Sequence, residues 1–166
     1  MNFRQLLFVP VLGGFLFLSA CENPFSSTPS GSSTHAAPPG IKAAIDQYVA
    51  KMNAHDASGA GELYSDDQGF EWVENGQLVF ETKTAATAAL SNFFAGFPET
   101  RFEAYEVKIS MLNDDAAVAT FKFTETIAAN GQSALKMEGT MTLSMTDRDG
   151  DWKILVGHRS ATTFPH

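Results

Sequence analysis

The sequence predicts an α+β domain in which helices precede an antiparallel sheet. Three observations carry this. Apolar residues recur at helical spacing in stretches between Ile41 and Phe94. Four long stretches from Arg101 onward alternate with period two. Short polar turns, Asn113-Asp114-Asp115, Asn130-Gly131 and Asp147-Arg148-Asp149-Gly150, separate them. Helices segregated to one face of such a sheet make an α+β layer architecture.

Ile41, Ala44, Ile45, Tyr48, Val49 and Met52 form one apolar face, so the first helix runs to about Asn53. Asp56 is placed to cap a short second helix carrying Ala57, Ala60, Leu63 and Tyr64. Asn75-Gly76 between two runs of β-formers marks a hairpin, with Phe70 and Trp72 on one face and Glu71 and Val73 on the other. The third helix spans about Lys83 to Phe94, buries Ala86, Ala89, Leu90, Phe93 and Phe94, and stops at Gly96 and Pro98. The strands then run from Arg101 to Met111, Ala116 to Ile127, Leu135 to Thr146 and Trp152 to Ser160.

The N-terminus reads as an address. Arg4 precedes an apolar stretch, Leu6 to Leu18, broken by Pro10 and Gly13-Gly14. It is short of the roughly 20 apolar residues a transmembrane helix needs and has the pattern of a secretory signal. Leu18-Ser19-Ala20-Cys21 resembles the lipobox of bacterial lipoproteins. That resemblance implies cleavage before Cys21, a diacylglycerol on its thiol and further acylation of its new amine. Two acyl chains anchor firmly where one is marginal. By the same resemblance, Glu22 in place of an aspartate implies sorting to the outer membrane, facing the periplasm. Residues 22–40 are rich in Ser, Pro, Thr and Gly and read as a tether. The division is therefore a signal peptide at 1–20, an acylated cysteine with its tether at 21–40, and one domain at 41–166.

Eleven basic residues against nineteen acidic give a net charge of −8 over 166 residues. Loss of Arg4 with the signal leaves ten against nineteen, or −9. Nucleic acid, which needs a basic footprint, is not an expected partner. Attachment to anionic lipid would rest on acyl chains rather than on charge. The single cysteine forbids an intrachain disulfide and a cysteine metal cluster. His35, His55, His158 and His166 are scattered, and Asp147 to Asp151 lacks the distal glutamate of a calcium loop. No phosphate, dinucleotide, serine-hydrolase or zinc motif occurs, so no metal or cofactor is expected.

The element order resembles the nuclear-transport-factor-2-like cone, a superfamily that includes SnoaL-like polyketide cyclases and ketosteroid isomerases. Three stretches carry the resemblance: Asn53-Ala54-His55-Asp56 as its N-x-x-D, Leu63-Tyr64-Ser65-Asp66-Asp67 as the following step, and Trp152 to Ser160 as the closing strand. It covers about residues 41–161. It implies a curved antiparallel sheet wrapped round a pocket closed by about three helices, and a homodimer through the exposed sheet face. Within it, Leu135, Met137, Met141, Leu143 and Met145 would line core or pocket, with Gly139 on the same face allowing a bend.

Ketosteroid isomerases use a carboxylate base with a tyrosine and a protonated acid as oxyanion donors. Tyr48 matches the tyrosine. The base position falls on Trp72, with Glu71 on the opposite face, and the second acid falls near Met141. Two of those three groups are missing, so that isomerisation is not expected. His158 shares a strand face with Trp152, Ile154, Val156 and Ser160 and is expected to point inward. Glu125 reads as a solvated strand end, or otherwise as a base at the pocket rim. The expected ligand contacts are Tyr48, Trp72, Phe93, Phe97, Met141, His158 and Ser160, and the candidate catalytic groups His158, Tyr48 and Glu125. The leading expectation is a lipid-anchored domain binding a small apolar ligand or an envelope partner. The alternatives are a small isomerase, cyclase or hydrolase using His158 with Tyr48, and a structural accessory whose cone is filled by side chains.

Overall fold

The computed structural model describes residues 38–164. The signal, Cys21 and most of the tether lie outside the described residues. Three helices and six strands follow in the order α1 (Pro39–Asn53), α2 (Ala57–Gly61), β1 (Glu71–Glu74), β2 (Gln77–Phe80), α3 (Lys83–Gly96), β3 (Arg101–Asn113), β4 (Ala116–Ile127), β5 (Leu135–Arg148) and β6 (Asp151–Phe164).

The helix starts are local chemistry. Pro39 opens α1, where its missing N–H costs nothing. The Asp56 carboxylate accepts from the Gly59 N–H at 2.8 Å and caps α2, and the Thr82 hydroxyl accepts from the Ala85 N–H at 3.2 Å and caps α3. Asn75 and Gly76 both take positive φ, 49° and 81°, as a tight hairpin turn requires.

The strands form one sheet in the order β2-β1-β6-β5-β4-β3. It is mixed rather than wholly antiparallel, because β1 pairs with β6 in parallel. The reason is connectivity. The chain leaves the hairpin through α3, enters the far edge as β3, and meanders back through β4 and β5 to lie beside β1 in the same direction. Parallel neighbours need such a long crossover.

Two bulges reverse which residues face inward. In β3 the pairing slips between Tyr105 and Lys108, where Glu106 takes a φ of 53°. Phe102 and Ala104 face the core before the slip, and Val107, Ile109 and Met111 after it. In β6 the slip lies between Ser144 and Met145 of its partner, which pair with Val156 and Ile154 and leave Leu155 over. Trp152 and Ile154 face inward before it, Gly157 and Arg159 after it. An extra residue shifts every later side chain to the other face.

The core fills one end of the cone. Ile41 and Ile45 of α1 pack in one buried cluster with Ala117 and Ala119 of β4, Leu143 and Met145 of β5, and Trp152 and Ile154 of β6. The helices are tied to the sheet by Asn53. Its amide donates to the Phe102 carbonyl and accepts from the Phe102 N–H, both at 2.8 Å. Asn53→Ala is expected to cost roughly 2 kcal/mol, because it leaves two backbone groups of a buried residue without partners. Urea unfolding would show this as a lower midpoint at unchanged slope.

Candidate functional site

The other end of the cone is open. A cavity of about 260 Å³ lies there, bounded by α1, α3, the β1–β2 hairpin and the inward faces of β3 to β6. Each wall follows from local periodicity. Tyr48 and Met52 are one helical turn apart on α1, and Ala86, Ala89, Leu90 and Phe93 form the inner stripe of α3. Trp72 and Glu74 alternate inward from β1, and Met137 and Met141 from β5. The aromatic rings touch one another. Tyr48 lies 6.3 Å from Tyr64, 6.4 Å from Trp72 and 6.3 Å from Phe102, centroid to centroid, the last edge-on at 86°.

Gly157 makes room for this wall. A methyl group on it would stand 2.2 Å from two carbons of the Trp72 ring, so the indole occupies space beside the β6 backbone that only glycine leaves open.

One region of the cavity is charged. The Arg159 guanidinium donates from Nη2 to Glu125 Oε2, and its Nη1 lies 3.7 Å from Glu74 Oε2. Its central carbon sits 5.1 Å from the centroid of the Phe123 ring, itself stacked on Phe102 at 5.3 Å. The Arg159 side chain is 14% exposed and that of Glu125 5%. Trp72 Nε1 donates to Glu74 Oε1 at 3.2 Å. The hairpin tip holds this stretch of β6 in place: Asn75 donates from its backbone to the Arg159 carbonyl at 2.8 Å and accepts from the Ala161 N–H at 2.9 Å.

Burial governs the titration of these groups. It pushes the Tyr48 phenol well above its ordinary 10.0, helped by the neighbouring Tyr64, and the Tyr64 phenol up to about 12. Both are neutral hydroxyls across the physiological range and act as hydrogen-bonding groups, not bases. Burial also raises Glu125 above 4.5, against the opposing pull of Arg159. Because its folded value exceeds the unfolded one, its contribution to stability is fully present below pH 4.5 and is lost as pH rises through the raised value. Relative to Glu125→Gln, the native chain is therefore expected to lose stability from about pH 4.5 upward. A difference that stays flat with pH in paired thermal melts would contradict the assignment.

Of the residues expected from sequence, Tyr48, Trp72, Phe93 and Met141 line the cavity, joined by Glu125. Phe97 does not. It is 37% exposed just beyond the end of α3, with its ring 5.3 Å from that of Phe93. His158 and Ser160 are exposed on the outer face, because the β6 bulge reverses the alternation that would have turned them inward. Glu125 is not a solvated strand end; it is 4% exposed and ion-paired. Of the predicted methionine stripe, Leu135 is 37% exposed, while Leu143 and Met145 belong to the filled core. Trp72, Phe80, Phe93 and Phe102 line the cavity rather than close it. Arg159 and Glu74 are the site residues that sequence reasoning missed. Gly157 inside a strand pattern, following the unbroken run Ile154-Leu155-Val156, was the available sign of a bulge.

Chemically, the site is an apolar chamber with neutral phenols and one internally compensated cation. Among the described residues, no three His, Cys, Asp or Glu side chains gather as a metal centre would require.

Comparison with known proteins agrees with this architecture. No curated protein matches the chain. Among solved structures, it is similar to a candidate scytalone dehydratase from Novosphingobium aromaticivorans DSM 12444, with 13% identity over 76% of this chain and 85% of that one, and a TM-score of 0.70. It is also similar to the hexachlorocyclohexane dehydrochlorinase LinA-type3 from Novosphingobium barchaimii LL02, with 13% identity, 76% and 88% coverage and a TM-score of 0.66. A cystatin-like-fold protein from Caulobacter vibrioides aligns with 16% identity, 74% and 87% coverage and a TM-score of 0.63. At such identities the likeness shows the nuclear-transport-factor-2-like fold. The SnoaL-like domain model matches residues 41–164, which is the whole cone, and the chain belongs to the SnoaL-like family.

Proposed function

We propose that this chain is a lipid-anchored envelope protein whose SnoaL-like cone binds a small, mainly apolar molecule. The observation that carries the binding reading is the cavity itself: open, aromatic-walled and charged only around Glu74, Glu125 and Arg159. Pockets that hold small molecules are apolar with a few polar groups to fix orientation. The size is informative. A cavity of about 150 Å³ accepts benzene, so about 260 Å³ suits one substituted ring or a small fused pair.

The anchoring part rests on Leu18-Ser19-Ala20-Cys21 and the tether that follows. Cys21 carries the acyl chains in this reading, Glu22 directs the protein to the outer membrane, and the cone faces the periplasm. The outer sheet face bearing Thr120, Thr142, His158 and Ser160 is the proposed homodimer surface.

A second reading has one observation behind it: a buried carboxylate, Glu125, on the cavity wall. With Tyr48 as a hydrogen-bond donor it could move a proton in an isomerisation, cyclisation or elimination. The dehydratase and dehydrochlorinase that share this fold make elimination the natural first class to assay. The ion pair with Arg159 weighs against it, since a proton taken up by Glu125 would leave the nearly buried guanidinium without its partner. His158 lies outside the cavity and has no part in ligand binding or proton transfer in either reading.

Native mass spectrometry of detergent-extracted protein from its host tests the proposal. The expected result is acylated Cys21, a dimer and a co-purifying mass that fits the cavity. An unmodified Cys21 with an intact N-terminus would overturn the anchor. A protein that carries no ligand and takes up none from a small aromatic library would overturn the binding reading.

A further inference from the structure

The charges round the cavity are unevenly committed, and that restricts the ligand. Its lining holds two acidic residues, Glu74 and Glu125, against one basic residue, Arg159. Arg159 already donates from Nη2 to Glu125 and lies over the Phe123 ring. Glu125 is covered by that pairing. Glu74 is different. Its side chain is 40% exposed, it stands off Arg159 at 3.7 Å, and its one hydrogen bond is from Trp72 Nε1. A carboxylate has about four acceptor positions, so Glu74 retains capacity toward a ligand. Beside it lies the Trp72 ring, with Tyr64 at 5.7 Å and Tyr48 at 6.4 Å, and aromatic faces attract cations.

Building on the binding reading above, we infer that the cavity selects a compact apolar amine, its ammonium group held by Glu74 and the aromatic faces beside it. An anionic ligand of the same shape would meet two carboxylates against one guanidinium, and that guanidinium already donates to one of them. A neutral alcohol would gain a hydrogen bond without the charge attraction.

Three probes with one carbon skeleton test this on the full chain at neutral pH: 2-phenylethylamine, 2-phenylethanol and phenylacetate, titrated by calorimetry. The amine is expected to bind about tenfold more tightly than the alcohol, with phenylacetate the weakest. Glu74→Gln should bring amine and alcohol to within about twofold of each other. Equal affinities in the native chain, tighter binding of phenylacetate, or an amine advantage that survives Glu74→Gln would each overturn the inference while leaving the binding reading intact. Binding of none of the three would contradict both.

Discussion

Glu125→Ala is expected to remove roughly 3–5 kcal/mol of folding stability. The substitution does more than delete a contact. It leaves the Arg159 guanidinium almost buried, with Phe123 on one face and Glu74 too distant for a hydrogen bond. An uncompensated buried charge is among the most costly defects a small domain can carry, because the whole margin is about 5–15 kcal/mol. The paired change Glu125→Leu with Arg159→Met separates this cause from simple loss of volume. It removes both charges at similar size and is expected to recover most of the loss, since apolar replacements of buried ion pairs are often neutral or better. Urea unfolding of the single and double variants is the measurement. A double variant no more stable than Glu125→Ala would show that packing, not the stranded charge, sets the cost.

Gly139→Ala is expected to be nearly as damaging, by roughly 3 kcal/mol, at the upper end of overpacking effects. The new methyl would stand 1.9 Å from the Ser160 carbonyl oxygen and 2.9 Å from the Ala161 Cα. Both are backbone atoms of β6, so no side chain can rotate away. The pairing of β5 with β6 has to open at the stretch that carries Arg159. The cone mouth and the stability of the domain are therefore expected to fail together. Gly96→Ala serves as the control, because nothing lies within 4 Å of its would-be Cβ at the end of α3. It is expected to be neutral or slightly stabilising, as alanine favours the helix. Equal losses at both positions would contradict the close-approach argument.

Most of the fold was legible in the residues. The stripes of α1 and α3, the Asp56 cap and the Asn75-Gly76 turn are set by local chemistry, and local chemistry is what a sequence displays. The parallel contact of β1 with β6 was not legible, because it depends on how distant strands are ordered across the sheet. The site was half legible for a related reason. Residues on helices, such as Tyr48 and Phe93, keep their phase over a few turns, and the early strand residues Trp72 and Met141 keep theirs. Residues beyond a bulge do not. One extra residue at Leu155 exchanged His158 and Ser160 for Gly157 and Arg159. That exchange turns a site with a free histidine into one with a compensated arginine. The acylation of Cys21 rests on sequence alone, since that segment lies outside the described residues.

The cavity as a ligand site is the central claim, and the methionines can report on it. Met52, Met137 and Met141 line the cavity, whereas Met145 is packed in the filled end and Met111 lies on β3 away from the mouth. With methyl-labelled methionine in the full chain, titration with 2-phenylethylamine and 2-phenylethanol can be followed by NMR. The expected result is saturable shifts at Met52, Met137 and Met141, with Met111 unmoved. Shifts confined to Met111, or no saturable shift at the three lining methionines, would contradict it.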